Sequence, residues 1–363
     1  MLAEHLRLIA APMIDQSDLP FRTLVRRHGC TLAYTQMLMP DKILNDPEYL
    51  EHRLRDLTLD TELGRPVVVQ LCGNNVQSIV QAGKKLQGHC DGIDLNLGCP
   101  LEAAREAHYG AYMVSQKDWP LVQNIVGMTQ SLNPSYLVSA MAHSFIVPTS
   151  VKIRLAQPIE KTVDFAQRLE AYGAAWVTLH ARTVSARRRR QGAADLDQVR
   201  KLKKGLCVPV ISNGNVREWS DIPENLGYTG ADGVMVGETL LGNPCLFANK
   251  LPDPVDIALE YLDICRQFPG TASVLTAQTH IRHFVEYQCK RRPWFQKFRS
   301  ALGTTKSMEE MDILLRIKVQ RWRGKPPCGR DVDTNDEDNG ADFLAAANEE
   351  CFDDSIDLSL MLR

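Results

Sequence analysis

Hydrophobic and polar positions follow a repeating rhythm over the first 250 residues. Short apolar runs occur at Leu6 to Met13, Leu32 to Met37, Val67 to Gly73, Gly92 to Cys99, Val151 to Leu155, Ala175 to Arg182, Val208 to Val216 and Gly233 to Leu241. Most are short enough for strands and are followed by a helical pattern. After Leu155, for example, Ile159, Val163, Ala166 and Leu169 fall on one helical face, and Gly173 supplies a stop. Eight βα units in about 250 residues predict a (β/α)8 TIM barrel over residues 1–250. A doubly wound open sheet is the alternative that the pattern leaves open.

The rhythm changes at Leu251. Pro252 and Pro254 mark a junction, and helical patterns then run to Arg323, so residues 251–328 read as a small all-helical domain. Residues 329–363 form an acidic tail that is poor in aromatics and reads as disordered. Residues 131–150 are longer than a usual barrel connection and read as an insertion, on the barrel face away from the strand C-termini.

Composition narrows the class. The apolar fraction, 44% of 363 residues, is ordinary for a globular chain. No run of 18 apolar residues is present, which speaks against a membrane span, and the first residues lack the pattern of a signal peptide. Ten cysteines occur with no CxxC pair, which argues for a reducing compartment, cytoplasm or nucleus, and against a disulfide framework or zinc site. The net charge of −2 hides an asymmetry. Residues 331–363 hold eleven Asp and Glu and one Arg, so the rest of the chain carries +8. Within that rest, residues 281–330 have thirteen Lys and Arg against four acids, which suggests a polyanionic partner.

Candidate chemistry gathers at the strand ends, where α/β barrels keep it. The first run ends in Pro12, Met13 and Ile14. The third carries Gln70, the fourth Asn96 and Cys99, and the fifth Lys152 and Arg154. His180 and Arg182 close the sixth, Asn213-Gly214-Asn215 the seventh, and Gly233 and Gly237 mark the eighth. Any one of these has a bland reading, a core histidine or a ladder cap. Eight such placements at one end of eight strands do not. The residue types suit a flavin mononucleotide (FMN). Lysine stabilises the negative charge of a reduced flavin near N1, glutamine can bond the pyrimidine edge, and the glycine-rich turns after the last two strands form an anion site.

These stretches resemble the tRNA-dihydrouridine synthases, flavin-dependent reductases of uridine in tRNA. The matching motifs are Ala11-Pro12-Met13, Val69-Gln70, Asp94 to Pro100 with Tyr109-Gly110-Ala111, Lys152-Ile153-Arg154, His180 to Thr183, Asn213-Gly214-Asn215, and Gly233-Val234-Met235 with Gly242-Asn243-Pro244. Asp15-Gln16-Ser17 and Tyr34 to Leu38 are most similar to the eukaryotic 16/17 branch, with the 20a/20b branch a weaker match. The resemblance implies reduction of the uracil C5–C6 bond with FMN as cofactor and NADPH as reductant. It implies Cys99 as the acid that protonates C5. It implies a flavin lined by Pro12, Met13, Ile14, Gln70, Lys152, His180, Asn213, Gly214, Asn215, Gly237 and Glu238. Asn96 and Arg182 would face the uridine, with Arg105 and Arg154 also on the substrate side. Arg187 and Arg188, after the sixth strand, and Arg291 and Arg292, in the helical domain, would meet tRNA phosphates, and the protein would act as a monomer. Glu238 stands where relatives often have Arg, and Arg105 to His108 replaces a more basic, glycine-containing loop. A barrel reductase of a small pyrimidine or enone is the competing enzyme reading. A non-catalytic RNA-binding relative is the third.

Overall fold

The computed structural model describes residues 2–63, 66–123, 137–186 and 192–328. Eight parallel strands close into a barrel in sequence order. They are β1 (Leu8–Ala10), β2 (Leu32–Leu38), β3 (Val67–Leu71), β4 (Gly92–Leu97), β5 (Thr149–Arg154), β6 (Val177–His180), β7 (Val210–Asn213) and β8 (Gly233–Val236). The closed cylinder decides against the open sheet. Each of the eight apolar runs coincides with one strand, β2 running one residue past its run to Leu38 and β5 starting two residues before its run at Thr149.

Side chains alternate in and out along each strand, and the inward ones stack in layers. The lowest layer is apolar, with Ile9, Tyr34, Val68, Trp176, Ile211 and Met235 all buried together. Its one polar pair is satisfied, because the Trp176 indole N–H donates to the Tyr34 hydroxyl at 2.9 Å. Gly92 suits this close packing, since a Cβ on it would lie 3.0 Å from the Trp176 ring. Above this plug the interior turns polar, with Gln70, Asp94, Ser150 and Thr178 buried. The plug thus sets the depth at which chemistry can begin.

Of the stretch read as an insertion, Leu137–Ser144 is a helix and Thr149 and Ser150 already belong to β5. Met141 is buried in the main core, and the Phe145 ring lies against the helix Val76–Leu86. A Cβ on Gly83 would come within 2.2 Å of that ring, so this glycine makes the contact possible. Residues 131–136 lie outside the described residues, as do Arg187, Arg188 and the acidic tail from 329.

After the barrel come helices Pro254–Gln267, Val274–Cys289, Phe295–Thr304 and Met308–Ile313, then a π-helical stretch Leu314–Val319 and Gln320–Trp322. Asp253, Ser273 and Ser307 cap three of them by accepting from Val255, Thr276 and Glu310 N–H groups. These helices share one apolar cluster with the barrel. Phe21, Leu24, Val236 and Leu240 pack with Tyr261, Leu262, Phe284 and Leu315. Each such fully buried side chain stabilises the seam by about 1.5–3 kcal/mol. A polar tie adds to it, because the Tyr261 hydroxyl donates at 2.8 Å to Asp18, the cap of helix Leu19–Arg27. Among the described residues no helix is long and apolar enough to cross a membrane.

Candidate active site

The C-terminal mouth of the barrel holds a cavity of about 370 Å³. Its lining brings together Pro12, Met13, Ile14, Gln70, Asn96, Cys99, Lys152, Arg154, His180, Arg182, Asn213, Gly214, Asn215, Gly237 and Glu238. Strand register explains the convergence. Asn96 pairs with Lys152, Arg154 with His180, and His180 with Asn213, so polar groups of four neighbouring strands share the top of the barrel.

Cys99 is held by a turn just beyond β4. The Asn96 side-chain oxygen accepts from the Gly98 N–H at 3.0 Å and from the Cys99 N–H at 2.9 Å. The Asn96 amide in turn donates to the Gln70 oxygen at 2.8 Å, and Gln70 donates to Asp94 at 2.8 Å. Ser150 donates to the other Asp94 oxygen at 2.6 Å. A hydrogen-bonded chain therefore runs from the buried Asp94 up to the thiol-bearing turn. Burial pushes the Asp94 carboxyl up to about 6, while Ser150, Gln70 and Lys152 favour its charged form. In this arrangement Asn96 acts on the Cys99 backbone, where the sequence suggested an open uridine contact.

Arg154 is also committed to backbone. Its Nε donates to Gly98 O at 2.9 Å, and Nη1 donates to Thr183 O and Ala186 O at 2.8 Å each. It ties the Cys99 turn to the loop after β6, and that tie is its visible role.

The segment after Cys99 folds back over it. The Ala111 N–H donates to Cys99 O at 3.0 Å. Gly110 has a φ of +66°, and a Cβ there would sit 2.9 Å from Cys99 O and 3.0 Å from Cys99 Cβ. Only glycine meets both demands. Gly110→Ala is expected to displace the thiol and slow the chemical step at least tenfold, since a misplacement of about 1 Å can cost about a hundredfold. Single-turnover rates of the pre-reduced protein check this, and an unchanged rate speaks against the clamp.

Charge in the cavity is mostly positive. Burial, with Arg154 beside it, brings the Lys152 ammonium down to about 8. Burial and the neighbouring Arg182 lower Arg154 to about 10. His180 is pushed well below its usual value by burial and by Lys152, Arg154 and Arg182, so it is neutral at pH 7. Burial raises the Cys99 thiol above the ordinary cysteine range. The proton therefore stays on sulfur through neutral pH and leaves only as pH climbs above that range. Alkylation of Cys99 by iodoacetamide should show a pH midpoint above that of a free cysteine, and a midpoint below it contradicts this environment.

One residue expected on the substrate side lies outside this cavity. Arg105 is outside the cavity, on the helix Glu102–Glu106, where it pairs with Glu102. Arg291 and Arg292, expected in the helical region and not in the cavity, are exposed after the helix Val274–Cys289. Sequence reading missed Met37. Alternation from Tyr34 points Gln36 inward, but the β2–β3 register shifts between Tyr34 and Met37, and Met37 lines the cavity. Gln36 instead accepts from the Asp15 N–H at 2.5 Å. No alternation rule signals such a bulge. Among the described residues no group of three or more His, Cys, Asp or Glu is placed to hold a metal.

Comparison with known proteins agrees with the motif pattern. The chain is 36% identical over 304 residues to the mouse protein named tRNA-dihydrouridine(16/17) synthase [NAD(P)(+)]-like, covering 84% of this chain and 59% of that one. It is 32% identical over 306 residues to the tRNA-dihydrouridine(16/17) synthase of Saccharomyces cerevisiae, covering 82% and 68%. It is 30% identical over 303 residues to the human tRNA-dihydrouridine(20a/20b) synthase-like protein, covering 83% and 88%. The chain thus spans about three fifths of the length of the mouse and rat 16/17 relatives. A solved structure of a morphinone reductase mutant matches with a TM-score of 0.48 at 14% identity, over 69% of this chain and 90% of that one. The sequence profile of the dihydrouridine synthase (Dus) family matches residues 8–321, and the chain belongs to that family.

Proposed function

We propose that the protein is a tRNA-dihydrouridine synthase of the 16/17 type that holds FMN in the barrel mouth and draws electrons from NADPH. The observation that carries this reading is the meeting of Cys99, Lys152 and a neutral His180 in one cavity above an apolar plug. The cavity fits a flavin phosphate ester. Among the described residues no hydrogen bond or ion pair reaches the Lys152 ammonium, so a half-buried cation lining the cavity can meet an anionic group of the ligand. Gly214 lines the cavity, and both its φ of +129° and the 2.6 Å approach of a Cβ to the Ala194 methyl hold this position to glycine. Gly214 and Gly237 would hold the phosphate by main chain, with Glu238 contributing no favourable charge.

A flavin bound here supplies hydride to C6 of uracil. This chain's own part is then the second half of the addition. Cys99 presents its proton to C5 on the ring face it adjoins, and its raised thiol value keeps that proton available at pH 7. Asn96, Arg154 and Gly110 fix the turn from three sides. The target uridine has to leave its stack to enter the mouth. The basic surface of residues 290–325, with Trp294 and Trp322 half-buried among the cations, suits tRNA phosphates.

The test uses the purified full chain. Its cofactor is identified by absorbance and mass, and NADPH oxidation is followed with and without unmodified tRNA. The proposal expects FMN and turnover that depends on tRNA. A colourless protein that also fails to bind added FMN, or NADPH turnover with a free pyrimidine but none with tRNA, rules it out.

A further inference from the structure

Beside the barrel mouth lies a second recess of about 310 Å³, and the lining it shares with no other site includes Arg105, His108, Tyr112, Lys117, Gln157 and Val184. All of it comes from segments that follow the C-terminal ends of β4, β5 and β6, so it opens on the face that carries Cys99. The two spaces share a wall. Ala111, in the recess, donates to Cys99 O at 3.0 Å, and the Tyr112 hydroxyl donates to Pro100 O at 3.0 Å.

Resting on the function proposed above, we infer that this recess seats the base of a nucleotide adjoining the target uridine. The chemistry of the lining selects a base over a bare phosphate. Arg105 pairs with Glu102 and His108 with Asp118, so the recess has little net positive charge. Ser115 donates to the same Asp118 at 2.7 Å. One part of the lining is apolar, with Ala111, Val114 and Leu155 buried behind Tyr112 and Val184. Exposed Gln157 offers an amide donor and acceptor at the rim, and exposed Lys117 offers a cation to the connecting phosphate. A slot that joins an aromatic ring and an apolar floor to polar groups at its rim is how proteins take up an unstacked base. The space is within the range of small-ligand pockets.

The placement gives the recess a consequence for position choice. A base seated against Tyr112 presses on the segment that holds Cys99, so the acid is set when the neighbouring nucleotide fits. Discrimination among D-loop uridines is then partly a reading of what stands beside them.

A double-mutant cycle tests this. Wild type and Val184→Trp, which fills the recess, are compared on intact tRNA and on tRNA with an abasic nucleotide 5′ or 3′ of the reduced uridine. Gln157→Ala, at an exposed position, provides a second cycle should the tryptophan disturb folding. The inference expects each single change to lower kcat/KM for tRNA about tenfold and the two together to lower it no further. Losses that multiply overturn it, as does a Val184→Trp protein with unchanged kcat/KM. A rise in KM for NADPH in that variant also overturns it, by assigning the recess to the nicotinamide cofactor. A wild-type protein that reduces no tRNA uridine overturns the function itself, an outcome distinct from all of these.

Discussion

Cys99→Ala is expected to retain bound FMN and its reduction by NADPH while dihydrouridine formation falls by about 10²–10⁴. That range is the usual worth of a positioned general acid. Cys99 is 8% exposed and lines the cavity, and Cys99→Ala keeps a small apolar side chain at its place in the core. The backbone of its turn is held by Asn96 and Ala111, and both contacts survive the loss of sulfur. The effect should therefore separate cleanly between half-reactions. Stopped-flow absorbance reads flavin reduction, and quenched single-turnover samples read the product. Full product formation in the variant removes Cys99 as the acid.

The second large effect belongs to Lys152. Lys152→Met keeps the length of the side chain and removes its charge in a buried site. Removal of one preorganised electrostatic partner from a site of this kind costs about 10²–10³ in rate. Flavin reduction by NADPH, which places negative charge on the ring, is expected to fall by about that much. The pH profile gives an independent readout. Lys152 sits at about 8 in the cavity as it stands, lowered by burial and by Arg154. Below that pH it is charged and can stabilise an anion, and the benefit fades as pH rises through its pKa. An anion bound beside it raises that pKa, so the falling limb in the holoenzyme lies above 8. Lys152→Met should lack this limb altogether. A limb that persists unchanged in the variant assigns it to another group.

Much of this was legible in the sequence, for physical reasons. Strands buried on both faces are continuous apolar runs, and several end just before a Pro or a glycine turn, as at Gly98-Cys99-Pro100. Polar residues at those ends point to the barrel mouth because period-two alternation carries Lys152 and Arg154 to one face. What escaped depends on side-chain partners. The sequence shows Asn96 and Arg154 near the chemistry, but nothing local says that their donors and acceptors are spent on the Cys99 turn. The inward turn of Met37 follows from a register shift that no alternation records. The helical region was readable as helices, whereas its shared cluster with Phe21 is a contact across more than two hundred residues. Residues 131–150 misled because an unusual connection hides the helix Leu137–Ser144, which packs where a barrel helix should.

The most direct measurement maps dihydrouridine, nucleotide by nucleotide, in unmodified tRNA incubated with the purified protein, FMN and NADPH. The account predicts reduction at D-loop positions 16 and 17 in reactions with wild type and none with Cys99→Ala. Uridines that stay unreduced throughout the D loop with a flavin-loaded, NADPH-reducible wild-type protein contradict it.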